Sequence, residues 1–230
     1  MLDETKNNID FYREIANKEQ KQELAKRIAS KVKDGDVIGF GSGTTSYLTI
    51  GEIANKIKNE NIKITAIPTS YEIKMACGYY GIPTATLLEK KPNWSFDGAD
   101  EVDGNNWIIK GRGAAMFKEK LNIKNSETVY ILVDNTKIVD KLCTKFPVPV
   151  ECAPDAYIYV QEELIKLGAS DVKLRIGKGK DGPVITENGN FVLDAWFNNI
   201  DETLEKKLKS IVGVIETGLF IGYENIIIEK

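Results

Sequence analysis

Four times between residues 1 and 145 a short apolar run ends in a polar turn. The runs are Val37-Ile38-Gly39-Phe40, Ile62 to Ile67, Trp94-Ser95-Phe96 and Thr128 to Val133. The turns behind them are Gly41-Ser42-Gly43-Thr44-Thr45-Ser46, Pro68-Thr69-Ser70, Asp97-Gly98-Ala99-Asp100-Glu101 and Asp134-Asn135-Thr136-Lys137. Helical patterns alternate with the runs. One covers roughly Lys18 to Lys33, with Leu24, Ile28 and Val32 at helical spacing; others run from the Thr45 region to about Lys58, from Tyr71 to Tyr80, and through Glu119. Strands alternating with helices build a parallel sheet with crossover helices, an α/β fold. An open sheet of that kind places its ligand crevice at the carboxyl ends of its strands, where all four turns fall.

The pattern changes at Phe146-Pro147-Val148-Pro149-Val150-Glu151, an extended segment punctuated by proline that marks a boundary. Beyond it we expect a helix at about Ala156 to Leu167 and a strand from Val172 to Ile176. A hairpin follows, joining Val184-Ile185-Thr186 to Phe191–Trp196 around Glu187-Asn188-Gly189-Asn190, and then a helix from about Glu202 to Ser210. From Gly213 onward, GVIETGLF and then Ile226 to Ile228 read as strands returning to the first sheet.

The chain has no histidine, which removes Ser-His-Asp and Cys-His nucleophile systems, imidazole bases and most transition-metal sites. Acid–base chemistry here must run on Asp, Glu, Lys, Tyr or Cys. The net charge is −3 and lysines are interleaved with acids, so the footprint of a nucleic-acid binder is missing. No window approaches the ~20 apolar residues of a membrane span, and the N-terminus lacks the run of ~7–15 apolar residues of a secretory signal. Cys77, Cys143 and Cys152 are scattered without a CxxC, which argues against a disulfide framework or zinc site and fits a reducing cytosol.

Three constellations carry chemistry. Gly39-Phe40-Gly41-Ser42-Gly43-Thr44-Thr45 joins a strand to a helix, where uncrowded N–H groups and the helix dipole suit a phosphate. Thr44 stands where a dinucleotide fingerprint has its third glycine, and no lysine follows Gly43 as in a Walker loop. A tight turn with a Ser/Thr helix cap is the alternative. In the second constellation, Asp97, Asp100 and Glu101 crowd one turn at a strand end; buried acids need partners, and Lys110 is the candidate. The third is Lys110-Gly111-Arg112-Gly113-Ala114-Ala115, a small-residue turn opening a helix that presents Glu119. Glu119 could equally be a surface acid beside Lys118 and Lys120, and Lys137 a surface lysine or a phosphate ligand.

Taken together, GFGSGTTS, SFDGADEVDG, IKGRGAAMFKEK, VDNTKIVDKL and FPVPVE, with ITENGNFVLD and GVIETGLF, closely resemble type A ribose-5-phosphate isomerase, in that family's order over nearly the whole chain. The resemblance implies a Rossmann-like sheet from residues 1–145 plus 213–230, with a smaller ferredoxin-like α/β lid of residues 146–212 inserted. It implies reversible interconversion of ribose 5-phosphate and ribulose 5-phosphate without cofactor or metal. Glu119 then matches the base that moves a proton between C2 and C1. Asp97, Asp100 and Lys110 match the groups that open the furanose and stabilise the enediolate. Ser42, Gly43, Thr44, Thr45, Asp97, Gly98, Ala99, Asp100, Lys110, Gly111, Arg112, Gly113 and Lys137 match substrate-binding positions. It further implies a cytoplasmic homodimer or larger assembly acting on a small sugar phosphate, with no nucleic-acid or membrane partner. Two other classes share parts of the pattern: a sugar-phosphate-binding module without turnover, and a coenzyme A transferase-like enzyme. One departure stands out, since the family turn after the lysine is commonly all glycine and this chain has Arg112. At φ > 0 a non-glycine residue would cost about 1–2 kcal/mol; at an ordinary φ its guanidinium could reach an anion.

Overall fold

The computed structural model describes residues 15–230; the start of the expected first unit, residues 1–14, lies outside the described residues. In chain order the elements are α1 (Lys18–Lys31), β1 (Val37–Phe40), α2 (Thr44–Glu60), β2 (Thr65–Pro68), α3 (Tyr71–Tyr80), β3 (Trp94–Gly98), β4 (Glu101–Val102) and β5 (Ile108–Ile109). They continue with α4 (Met116–Asn125), β6 (Thr128–Leu132), β7 (Val148–Cys152), α5 (Tyr157–Lys166), β8 (Ala169–Leu174), β9 (Phe191–Phe197), α6 (Leu204–Lys209), β10 (Val214–Thr217), β11 (Leu219–Phe220) and β12 (Ile226–Glu229).

The apolar runs are strands because helices cover both faces of their sheet. In β6, Tyr130 and Leu132 pack with Ile28, Ile50, Ile53 and Ile73, from α1, α2 and α3, while Val129 and Ile131 face Ile123 of α4 on the other side. The sheet order is β12-β6-β3-β1-β2, with every pairing parallel. It is doubly wound, and its direction of winding reverses between β1 and β3. The crevice at that switch point opens beside Gly41 and Gly98, at the carboxyl ends of the two strands. Local signals set the helix ends: Ser70 Oγ accepts from Ile73 N at 3.2 Å to start α3, and Gly81 ends it at φ +70°.

The second sheet is antiparallel with order β10-β7-β9-β8, backed by α5 and α6 around a core that includes Val148, Val160, Leu193 and Leu208. Within this βαββαβ unit the strands lie in the order 4-1-3-2, the ferredoxin-like arrangement. One expectation is corrected here. Val214–Thr217 does not return to the first sheet but pairs antiparallel with β7, and only Ile226–Glu229 joins the first sheet, beside β6. The physical reason is that β7 would otherwise be left with an open edge, and the fourth strand of the unit closes it. Nor does Val184–Thr186 form a full strand. Ile185 makes a single bridge to Phe191, and Thr186 N donates to Asn190 O at 2.9 Å to close the turn. Between the two large sheets lies a small antiparallel one, β11-β5-β4, which carries the Lys110 turn. No helix among the described residues is long and apolar enough to cross a membrane.

Candidate active site

At the switch point, β1, β3, β5 and α4 converge on one cleft of about 580 Å³. Its floor is a buried charge triad. Lys110, just past β5, places its Nζ 2.9 Å from Asp97 Oδ2 and 2.5 Å from Glu119 Oε2. All three side chains are buried: Asp97 is 3% exposed, Lys110 2% and Glu119 3%. Glu119 sits in the first turn of α4, where the helix dipole favours a carboxylate. Its other oxygen accepts from Ser42 Oγ at 2.6 Å. Asp97 is the last residue but one of β3, and its Oδ1 accepts from Gly98 N at 2.8 Å and Ser42 N at 3.2 Å.

Burial, only partly offset by the Lys110 ammonium and reinforced by the charge of Glu119, raises the Asp97 carboxyl to about 7. Burial alone would lower Lys110, but the two carboxylates outweigh it and raise its affinity for the proton. The lysine therefore stays an ammonium between two carboxylates, one of which readily takes a proton near neutrality.

Gly41 explains how the β1–α2 loop comes so close. A Cβ there would lie 2.2 Å from Asp97 Cγ and 2.5 Å from Asp97 Cα, so only glycine lets the loop lie against that residue. Gly43 is the N-cap of α2 at φ +88° and no side chain caps the helix, so the first-turn N–H groups of α2 are not consumed by the Ser/Thr cap weighed above. Ser42, Gly43, Thr44 and Thr45 all line the cleft, as do Gly98, Ala99, Asp100, Gly111, Arg112, Gly113 and Lys137.

The acidic turn separates into two roles. Asp100 stays at the cleft, where burial raises its carboxyl and Arg112 N donates to its Oδ2 at 3.1 Å. Glu101 leaves the cluster. As the next residue along the chain its side chain points to the opposite face, and its carboxylate accepts from the backbone N–H groups of Cys143 at 2.5 Å, Phe146 at 2.8 Å and Lys145. Arg112 is not in the left-handed region; the positive φ values of this turn belong to Gly111 (+102°) and Ala114 (+61°). The Arg112 position thus carries no penalty for lacking glycine.

Lys21 was not among the expected residues. It is 8% exposed, lines the cleft, donates to Thr44 Oγ1 at 3.3 Å and lies 3.8 Å from Asp134 Oδ2. Its proton affinity is lowered first by burial and then by the nearby positive charges of Lys137 and Arg112, although Asp134 opposes this. The signal was in the periodicity: Lys21, Leu24 and Ile28 lie on one buried stripe of α1, and a lysine on a core-facing stripe demands a partner. Lys21, Arg112 and Lys137 line the same cleft as the first residues of α2, which gathers positive charge near that helix N-terminus.

Buried carboxylates beside an ammonium, in a cleft also lined by Lys21, Arg112 and Lys137, are groups that could transfer protons and hold an anion. Comparison with known proteins gives this arrangement a family. The model of ribose 5-phosphate isomerase A (phosphoriboisomerase A) matches residues 65–230. A ribose-5-phosphate isomerase A from Methanocaldococcus jannaschii is 42% identical over 217 residues, 93% of this chain and 95% of that protein. The chain belongs to the ribose 5-phosphate isomerase A family. Solved structures agree. The isomerase structure from Methanocaldococcus jannaschii superposes with a TM-score of 0.89 at 40% identity, covering 94% of this chain and 96% of that one. A D-ribose-5-phosphate isomerase in complex with phospho-erythronic acid superposes at 0.87 with 42% identity, covering 92% and 94%. The doubly wound sheet and the inserted antiparallel sheet are therefore the architecture of this family.

Proposed function

We propose that the protein is a cofactor-free aldose–ketose isomerase that interconverts ribose 5-phosphate and ribulose 5-phosphate. The observation that carries this is the Lys110 ammonium held between Asp97 and Glu119 at the floor of a cleft whose other end gathers cations around a helix N-terminus. The phosphate lies at the start of α2, on its N–H groups and the hydroxyls of Thr44 and Thr45, with Lys21, Lys137 and Arg112 around it. That a related isomerase binds phospho-erythronic acid, a phosphorylated acid, fits an anion at both ends of the cleft.

With the phosphate anchored there, the reacting carbons reach the triad. Asp97, which exchanges a proton near neutrality, assists opening of the furanose, with Asp100 beside it. Glu119 removes the proton from C2 of the open aldehyde. Electrons move into the carbonyl, and the oxyanion of the enediolate is stabilised by the Lys110 ammonium. The O2 hydroxyl proton passes to O1, and as the C2–O electrons form the new carbonyl Glu119 delivers its proton to C1, giving the ketose with no net change in its own protonation. One base must reach both carbons, and a carboxylate can do so without histidine. A binding module would need the cations but not the triad, whose burial of two carboxylates with one ammonium costs stability that only use would repay.

The βαββαβ unit serves as the lid over the catalytic sheet. Free, buried cysteines suit a reducing compartment, and the proposal includes a cytoplasmic location and a homodimer or larger assembly. The test is conversion of ribose 5-phosphate by chelator-treated protein, with free ribose assayed in parallel. We expect turnover to persist in chelator. A charge-assisted hydrogen bond contributes about 1.5–3 kcal/mol, so kcat/KM for ribose should be lower by about tenfold or more for each such bond lost. Turnover abolished by chelator and restored by a divalent metal, or equal kcat/KM for the two sugars, would overturn the corresponding assignment.

A further inference from the structure

The Lys110–Gly113 turn is pinned from two directions. On one side, Lys110 N donates at 2.9 Å to the O of Gly218, between β10 and β11, and Arg112 N to Asp100 Oδ2 at 3.1 Å. On the other side stands Arg175, immediately beyond β8. Its Nη1 donates to Gly111 O at 3.1 Å and to Arg112 O at 2.9 Å. Its Nε donates to Asp194 Oδ2 at 2.8 Å, and its Nη2 bonds the other oxygen of the same carboxylate.

We propose that Arg175, oriented by Asp194, is a positioning residue that locks the Gly111–Arg112 backbone and thereby holds the Lys110 ammonium between Asp97 and Glu119. This rests on the isomerase function proposed above. Lys110 reaches two carboxylates through a flexible four-carbon stem, so its ammonium is only as well placed as its backbone. That backbone enters a turn at Gly111 with φ +102°, the residue type with most freedom to leave it. A guanidinium suits the task. Two of its nitrogens take a carboxylate side by side, and the third remains aimed in the same plane at two carbonyls. An ion pair serving β8 and β9 alone would use the first two nitrogens and have no need of the third. Arg175 does not line the cleft, so it acts through the turn and not on substrate. Its side chain is 15% exposed and that of Asp194 21%, so water competes only weakly for these bonds.

The experiment compares wild type, Arg175→Ala and Arg175→Lys for kcat, KM and Tm, with and without millimolar guanidinium ion. We expect Arg175→Ala to stay folded with little change in Tm while kcat falls on the order of 10- to 100-fold, the scale of a misplaced catalytic group. Guanidinium, and not an equal concentration of methylammonium, should partly restore kcat in a saturable manner. Arg175→Lys keeps the charge but not the fork and should remain impaired. A purely structural role predicts the reverse: a lowered Tm with kcat per folded molecule near wild type and no rescue. That result, or loss of folding in both variants, overturns the inference. Wild type separates the two claims. Absent turnover in wild type overturns the function and this inference with it, whereas normal turnover in both wild type and Arg175→Ala overturns this inference alone.

Discussion

Asp97 binds its proton more tightly in the folded chain than in the unfolded one, and stability must register the difference. Its carboxyl stands at about 7 against an ordinary 3.8, chiefly because burial penalises the charge. A group raised on folding contributes stability that is complete below the unfolded value and is lost as pH rises through the folded value. In Asp97→Asn that dependence disappears, whatever constant cost the amide brings beside Lys110. We therefore expect the Tm of the variant, relative to wild type, to rise from about pH 5 to about pH 8. Thermal melts across that range check it, and a flat or falling difference would contradict the raised Asp97. The same residues show what could be read in advance. Spacing and motif marked Asp97, Lys110 and Glu119 individually, and burial of the acids pointed to Lys110 as their partner. Their meeting, however, depends on three elements whose docking no local pattern encodes. Glu101 was grouped with them by adjacency alone, although its carboxylate serves the backbone of Cys143 to Phe146. Lys21 stayed hidden because a lysine in a lysine-rich helix looks solvated unless its place on the buried stripe is noticed.

At the scale of elements, the β1–α2 loop joins the two ends of the site. Its Ser42 backbone N–H holds Asp97 and its hydroxyl holds Glu119, while its helix starts in the cleft that Lys21, Arg112 and Lys137 also line. The loop can do this because Gly41 lies against Asp97, with 2.2 Å between an added Cβ and Asp97 Cγ. Asp97 lies near the end of β3, which is paired on both sides by β1 and β6, so the loop and not the strand must move. Gly41→Ala should cost about 1–3 kcal/mol of stability as overpacking and lower kcat on the order of 10² through displacement of Ser42. Gly104→Ala, where an added Cβ meets nothing within 4 Å, is the control expected to match wild type. Denaturant melts and steady-state kinetics on both variants check this; a wild-type kcat in Gly41→Ala would show that the loop does not position the site. Elements with short, local signals were legible in the sequence: helix periodicity, the strand-ending turns, the proline-marked boundary. Val214–Thr217 was not, because a four-residue strand of mixed character does not say which sheet edge it will close. Its pairing is set by β7, more than sixty residues earlier in the chain.

For the whole molecule, the site exists only because two units meet over one turn. β3 and α4 of the doubly wound unit supply the triad's carboxylates, and the small β11-β5-β4 sheet presents Lys110. The βαββαβ unit contributes Gly218 beside its last strand, where an added Cβ would lie 1.9 Å from Lys110 O, and the Arg175 fork on the turn. The class of the fold was legible because strand–helix alternation is a repeated, short-range pattern. The approach of the second unit to the Lys110 turn was not, since it depends on contacts between residues far apart in the chain. The proposed base is Glu119, and one substitution isolates it. Glu119→Gln keeps the size of the side chain and one oxygen for Ser42 but removes the proton acceptor. With folded protein and near-normal affinity for ribose 5-phosphate, we expect kcat to fall by at least about 10²-fold, the lower figure for a positioned general base. Purified Glu119→Gln retaining more than about a tenth of wild-type kcat would contradict the assignment and move the base to Asp97 or Asp100.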